Sequence, residues 1–288
     1  VCFVSSADRI AVAEHGQLIA TPITLALLAP RRGAGLGAGH LAVPLCRPFT
    51  LGTLRLELIP SGRGFGAAAL HANDRGRTVL YAGPVRTTAD RDAAEVRTSD
   101  AVVVAAPFGE VHHTFAPLDQ VAGSLAQWAS QQLATGYIPV AVVDSALEGL
   151  EVAVTLAALG VPLAGSRSLR DAAQRLANLE TLPELKPAGK EPRVLVRVAS
   201  DTLQPGTVRA VNALVSGRAI DGHAGFAAGF AWPFAAGRAQ LLAWLEQTKS
   251  KDIFVTGACA ETIVAALGKR ARLLGPPHQM TLSLGEVS

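Results

Sequence analysis

Residues 138–159 read IPVAVVDSALEGLEVAVTLAAL, and the change of period inside this stretch decides the fold class. Ile138–Val143 is an unbroken apolar run rich in valine, the pattern of a strand buried on both faces. Gly149–Leu159 then follows helical spacing, and Gly160 ends it. A buried strand that feeds a helix is the repeating unit of α/β proteins. The unit recurs on both sides. Upstream, Ala101–Ala105 is a second buried strand, and from Pro117 onward Val121, Leu125, Trp128 and Leu133 line one face of a long helix. Downstream, Val161–Ala164 and Arg193–Ala199 read as strands around a helix at Leu169–Leu176. Gly229–Pro233 leads into a helix at Ala235–Gln247, and Asp252–Thr256, Ala260–Leu267 and Ala271–Leu274 read strand, helix, strand.

The first third is richer in strands. Val1–Val4 is extended, Gln17–Ala20 likewise, and Thr21-Pro22 opens a helix over Ile23–Leu28, threonine capping and proline standing in the first turn. His40–Leu45 is extended. Leu54–Ile59 alternates apolar and polar residues, so one face is wet. Gly66–His71 and Thr78–Ala82 are strands joined through the turn Asn73-Asp74-Arg75-Gly76. Thr181–Pro192, with Pro183, Pro187, Gly189 and Pro192, is the best linker. Because the chain opens inside a strand, residues upstream of Val1 are an expectation of this reading.

Composition narrows the function classes. In 288 residues the hydrophobic set makes up 49% and charged residues 17%, which excludes an intrinsically disordered chain. A formal net charge of +3 is too weak a field for a strongly electrostatic nucleic-acid binder. The three cysteines, Cys2, Cys46 and Cys259, form no C-x-x-C pair, which excludes a zinc ribbon and points to a reduced, cytoplasmic setting. Apolar runs are far shorter than the roughly 20 residues needed to cross a bilayer.

Local motifs are weak. Gly33-Ala34-Gly35-Leu36-Gly37-Ala38 fits a dinucleotide-binding string, but no strand precedes it and no helix follows, so a loop is the better reading. His112-His113 is the only adjacent histidine pair; on a strand the rings would point to opposite faces, and solvated loop histidines are expected. Asp144, Glu148 and Glu151 cluster at the turn into a helix, where solvation and the helix dipole account for them. There is no G-x-S-x-G elbow, P-loop lysine or H-E-x-x-H.

Taken in order, the segments resemble the metallo-β-lactamase fold, in its nuclease branch with a β-CASP insert: ligase-associated DNA exonucleases and mRNA 3′-end processing factor-like proteins. The family's V-S-H-x-H-x-D-H segment is matched by Val4-Ser5-Ser6-Ala7-Asp8-Arg9, and its T-P-x-T helix by Thr21-Pro22-Ile23-Thr24. P-A-G-H-x-x-G-S-A becomes Pro60-Ser61-Gly62-Arg63-Gly64-Phe65-Gly66-Ala67-Ala68. Y-[ST]-G-D becomes Tyr81-Ala82-Gly83-Pro84, and E-[AS]-T-[FY]-G becomes Ala105-Ala106-Pro107-Phe108-Gly109. The insert's A-x-A-L-G-K-A-Q is matched by Asp144 to Glu151. S-D-H-A-D falls on Pro233-Phe234-Ala235-Ala236-Gly237, and V-T-H-G on Val255-Thr256-Gly257-Ala258.

The resemblance implies an α/β chain built as a four-layer αββα sandwich over 1–115 and 195–288, interrupted by a small β-CASP-like α/β insert over 116–194. It also implies where a pair of zinc ions would sit in active relatives. Those positions are Ser6, Asp8, Arg63, Pro84, Ala105, Phe234 or Ala235, and Gly257, and only Asp8 keeps a ligand. The resemblance therefore leads to a non-catalytic homologue without metal or other cofactor, a binding module for nucleic acid or a partner protein. Arg63, Arg86, Arg91, Arg97, Arg167 and Arg170 are the candidate phosphate contacts. Two alternatives stay open. One is a metal-dependent phosphodiesterase with a rebuilt site drawn from Asp8, His15, Asp100, Glu110, His112 and His113. The other is an unrelated α/β domain with a single parallel sheet.

Overall fold

The structure is a computed structural model that describes residues 1–8, 16–28, 39–89, 91–189, 191–202 and 209–275. Three sheets and six α-helices make up the described chain, a mixed α/β architecture. The glycine-rich Gly33–Ala38 string and His15 lie outside the described residues.

A seven-stranded sheet holds the first third of the chain and its last part. Its strands are β4 (Phe49–Leu51), β5 (Leu54–Pro60), β6 (Ala68–Asp74), β7 (Arg77–Pro84), β8 (Ala101–Ala105), β14 (Asp252–Thr256) and β15 (Ala271–Leu273), in the order β15-β14-β8-β7-β6-β5-β4. β4 to β7 are antiparallel neighbours, while β7, β8, β14 and β15 run parallel. The period of two puts Ile59, Ala69, Leu80, Val102, Val104 and Val255 on one face. There they pack with Leu241, Trp244 and Leu245 of α5 (Arg238–Thr248) and Ile263 of α6 (Ala260–Leu267). Leu58 and Ala68 on the opposite face meet Ile19 and Val43. Those belong to, or directly follow, a three-stranded parallel sheet of β1 (Cys2–Phe3), β2 (Gln17–Ala20) and β3 (Gly39–Ala42).

The second body is a five-stranded parallel sheet, order β10-β11-β9-β12-β13, built from β9 (Ile138–Val143), β10 (Leu163–Gly165), β11 (Val194–Val198), β12 (Ala210–Val215) and β13 (Ala228–Phe230). On one face, α2 (Leu118–Ala134), α3 (Ala146–Ala158) and α4 (Arg167–Leu176) bring Leu125, Leu150, Leu156 and Leu169 against Val143, Val196 and Val215. α1 (Pro22–Leu28) adds Ile23 and Leu27 to the same core. Gly149 lets α3 pack closely, since a Cβ there would lie 2.9 Å from Leu169 Cδ1 of α4 and 3.2 Å from Val143 Cγ2 of β9. None of the described helices is long and apolar enough to cross a membrane.

The return to the first sheet differs from expectation. Sequence places it at residue 195, yet Leu195–Val198 pair with β9, and β12 and β13 extend the same parallel sheet. The chain rejoins the seven-stranded sheet only after Phe230. The physical reason is partner choice: a short apolar run such as Val194–Val198 fits either sheet, and hydrogen-bond register decides which. β12 and β13 escape a periodicity reading because Asn212 interrupts one and the other is only Ala-Gly-Phe. α5 starts at Arg238, three residues later than the sequence suggests, with Gly237 as its N-cap.

Candidate functional site

The residues marked by the family resemblance come together on one rim, at the carboxyl ends of the parallel strands β7, β8 and β14. Pro84 pairs with Ala105, and Ala105 with Thr256. Gly257 turns so closely that a Cβ would lie 2.9 Å from the Ala106 carbonyl oxygen. Ala236 N–H donates to the Val85 carbonyl at 2.7 Å, which brings Phe234 and Ala235 to the same edge. Ser6 accepts from Asp8 N–H at 3.2 Å. The loop carrying Arg63 can approach because Gly62, at φ +77°, has no Cβ; one would lie 1.9 Å from the Arg86 carbonyl oxygen.

Arg63 occupies the middle of this rim. Its Nη2 donates to Asp8 Oδ2 at 2.9 Å and lies 3.2 Å from Glu148 Oε1, while Nη1 donates to the Phe234 carbonyl at 3.2 Å. Ser145 Oγ donates to the other Asp8 oxygen at 2.7 Å and accepts from Glu148 N–H, capping α3. Ser145 and Glu148 have capping-box spacing, but the Glu148 side chain turns to Arg63 instead of back to the cap. Burial opposes the charge on Arg63, and Asp8 and Glu148 more than offset it, so its pKa rises. Burial drives Glu148 the other way for a carboxyl, up to about 7; Arg63 opposes the shift, and Asp8 and Asp144 add to it. Glu148 Oε2 is buried without a hydrogen-bond partner. Two carboxylates around one guanidinium thus carry a surplus negative charge, and Glu148 takes up the balancing proton near neutrality.

The residues present do not fit a pair of transition-metal ions. Such sites need imidazole, thiolate or carboxylate ligands free to coordinate. Here the motif positions offer Pro84, Ala105, Phe234, Ala235 and Gly257, the Ser6 hydroxyl, and the Asp8 carboxylate, which together with the neighbouring Glu148 is already claimed by a permanent cation.

Glu148 also furnishes a pH test. Its carboxyl ionises near 4.5 in an unfolded chain and near 7 when folded, so the folded state holds an extra proton between those values. Stability therefore falls as pH rises through that window, by about 3 kcal/mol once both states are ionised. Glu148→Gln is expected to flatten this slope and to raise stability at pH above 7, measured by urea unfolding across the window. A variant with the same slope as the parent would assign the titration elsewhere.

The other candidates divide. Glu148 and Glu151 are not the solvated helix-end acids that sequence suggests. Glu148 is buried, and Glu151 Oε1 accepts from Arg86 Nη1 at 2.7 Å and from Trp232 Nε1 at 2.9 Å. Most of the candidate phosphate contacts are engaged internally: Arg63 and Arg86 as described, Arg91 by Glu180 at 2.7 Å, and Arg97 by Glu57 and Glu95 at 3.3 and 3.2 Å. Arg170 donates to the Gly165 carbonyl, and Arg167 is exposed.

The described members of the rebuilt metal set do not all come together. Asp100 accepts from Thr78 at the amino end of β8, away from the rim, and Asp8 faces Arg63. The histidines are not simply solvated, either. Both Nε2 atoms reach Asp221 Oδ1, at 2.7 Å for His112 and 3.0 Å for His113, and these three residues are close enough to suggest a metal site. The tautomer of His113 argues otherwise. His113 Nδ1 accepts from Gly109 N–H at 2.9 Å and Glu110 N–H at 3.1 Å, so the ring proton sits on Nε2 and points at Asp221. A metal at Nε2 would force that proton onto Nδ1, against two amide donors. Asp221 carries no local sequence signal, lying 108 residues from His113.

No family model matches the chain, and no curated protein matches it. Among solved structures the chain is similar to a protein of unknown function from Enterococcus faecalis V583, with a TM-score of 0.64 at 9% identity, over 95% of this chain and 78% of that one. At this identity the likeness concerns the fold alone.

Proposed function

We propose that this chain is a non-catalytic homologue of the metallo-β-lactamase-fold nucleases, in which the framework is kept as a binding module. In this reading the seven- and three-stranded sheets with their helices correspond to the αββα sandwich, and the parallel sheet with α2–α4 to the β-CASP-like insert. One observation carries the proposal: the Arg63 guanidinium, ion-paired to Asp8 and Glu148, stands where the motif would place a metal ligand. A fixed cation there repels a divalent ion and supplies no route to a hydroxide nucleophile. The internal pairing of Arg63, Arg86, Arg91 and Arg97 favours a protein partner over a phosphate backbone, since a paired guanidinium has less charge to offer.

The test combines hydrolysis and binding. Single-stranded RNA and DNA, incubated with the protein plus zinc or manganese, are expected to stay intact. Filter binding of the same strands is expected to be weak, with little dependence on salt. Metal-dependent cleavage lost in His112→Ala and His113→Ala would instead establish the rebuilt phosphodiesterase. Tight binding that falls steeply with salt would make nucleic acid the partner.

A further inference from the structure

We propose that the bare half of the seven-stranded sheet is a docking face for this chain's own residues 280–284, laid along the free edge of β1. β7, β8, β14 and β15 run parallel, and parallel strands are ordinarily packed on both faces. One face of these four meets α5 and α6. On the other, the period of two lines up Val79 and Tyr81 of β7, Val103 of β8 and Phe254 of β14, with Tyr81, Val103 and Phe254 in one cross-strand row. Val79 and Tyr81 are each 42% exposed. The three-stranded sheet covers this face only as far as β7. There Phe3 of β1 sets its ring edge-on to Tyr81 at 6.0 Å, and β1 is the outer strand of its sheet. An apolar floor therefore adjoins an open strand edge. Floor and edge together suit an extended segment with apolar residues at every second position.

Such a segment is within reach. Residues 276–288 lie outside the described residues, and their sequence alternates, with Met280, Leu282 and Leu284 against Thr281, Ser283 and Gly285. The described chain leaves β15 at Leu274, whose N–H donates to the Val255 carbonyl at 2.7 Å. From there the lane above β8, beside β1, is two strands across and one sheet spacing up, roughly 14 Å away. Five extended residues, 275–279, span about 16 Å, which brings Met280 to the start of the lane. Charge agrees with this path. A segment returning from the carboxyl end of β15 runs toward the amino end of β7, where Arg77 stands exposed on the same face as Val79 and Tyr81. Glu286, the one acidic residue of 276–288, arrives at that end. The inference uses no residue of the rim around Arg63 and is independent of what that rim binds.

Hydrogen exchange read by mass spectrometry tests this on the full chain, with a synthetic peptide of residues 276–288 as the free reference. Amides of residues 281–285 are expected to exchange at least about tenfold more slowly in the full chain than in the peptide. Leu282→Asp and Val79→Asp, one on each side of the contact, are each expected to remove that protection while the amides of β9 and β11 keep theirs. Exchange as fast as in the peptide, or protection that survives both substitutions, would overturn the proposal. So would protection that grows with protein concentration, which would place the occupant in a second copy. Should Val79→Asp fail to fold, cross-linking decides. Oxidation of Thr281→Cys or Ser283→Cys is expected to join the new thiol to the partly buried Cys2 of β1 within one monomer, and no such disulfide in either variant refutes the site.

Discussion

Arg63→Ala is expected to destabilise the protein by about 3–5 kcal/mol at pH above 7, the range found when one partner of a buried ion pair is removed. The reasoning begins with what is left behind. Asp8 and Glu148 side chains are only 6% and 8% exposed, and without the guanidinium two carboxylates face each other at the rim. Asp8 keeps one bond from Ser145, whereas Glu148 keeps no cation. The loss has a pH signature. Near pH 5 Glu148 is already protonated in the folded state, so removing Arg63 strands one charge instead of two, and the cost should shrink to roughly half. Urea unfolding of parent and variant at the two pH values measures both numbers. A cost that is small, or independent of pH, would mean that Arg63 is a solvated surface residue and not the keystone of the rim.

Glu151→Ala is expected to cost a similar amount, about 3–5 kcal/mol, by a different route. Arg86 is among the most deeply buried side chains of the described structure, and Trp232 is fully buried beside it. One carboxylate oxygen of Glu151 satisfies both, at 2.7 and 2.9 Å. Alanine leaves a buried cation without its anion and an indole N–H without its acceptor, two of the recognised causes of large losses. Glu151→Gln separates the parts: its carbonyl still accepts from Trp232 but carries no charge for Arg86, so it should lose less than alanine. Thermal and urea unfolding of the pair checks this ordering. If alanine and glutamine lose equally, charge is the whole effect and the indole bond contributes nothing.

Strongly periodic elements were readable from sequence, and their partners were not. Ala101–Ala105, Ile138–Val143 and Asp252–Thr256 stand as strands where the apolar runs fall. Which sheet Val194–Val198 joins depends on pairing with β9, a long-range choice that leaves no local trace. At the rim, Asp8, Arg63, Pro84, Ala105, Phe234 and Gly257 converge from segments spread over most of the chain, so the ordered motifs carried more spatial information than any single one. The charge that completes the rim was missed. Glu148 sits where helix-end acids are ordinarily solvated, and only its spacing from Ser145, the signature of a capping box, hinted at a fixed role. The His112–Asp221–His113 bridge had no such hint, because the loop geometry that turns both rings to one carboxylate is not written in residue spacing.

Metal uptake by the purified, full chain is the most direct test of the central claim, that a guanidinium replaces the metal at this rim. Equilibrium dialysis against zinc and manganese, followed by elemental analysis, is expected to leave the protein without stoichiometric metal, and Asp8→Ala is expected to change nothing. One or more equivalents of metal retained by the parent and lost on Asp8→Ala would contradict the account.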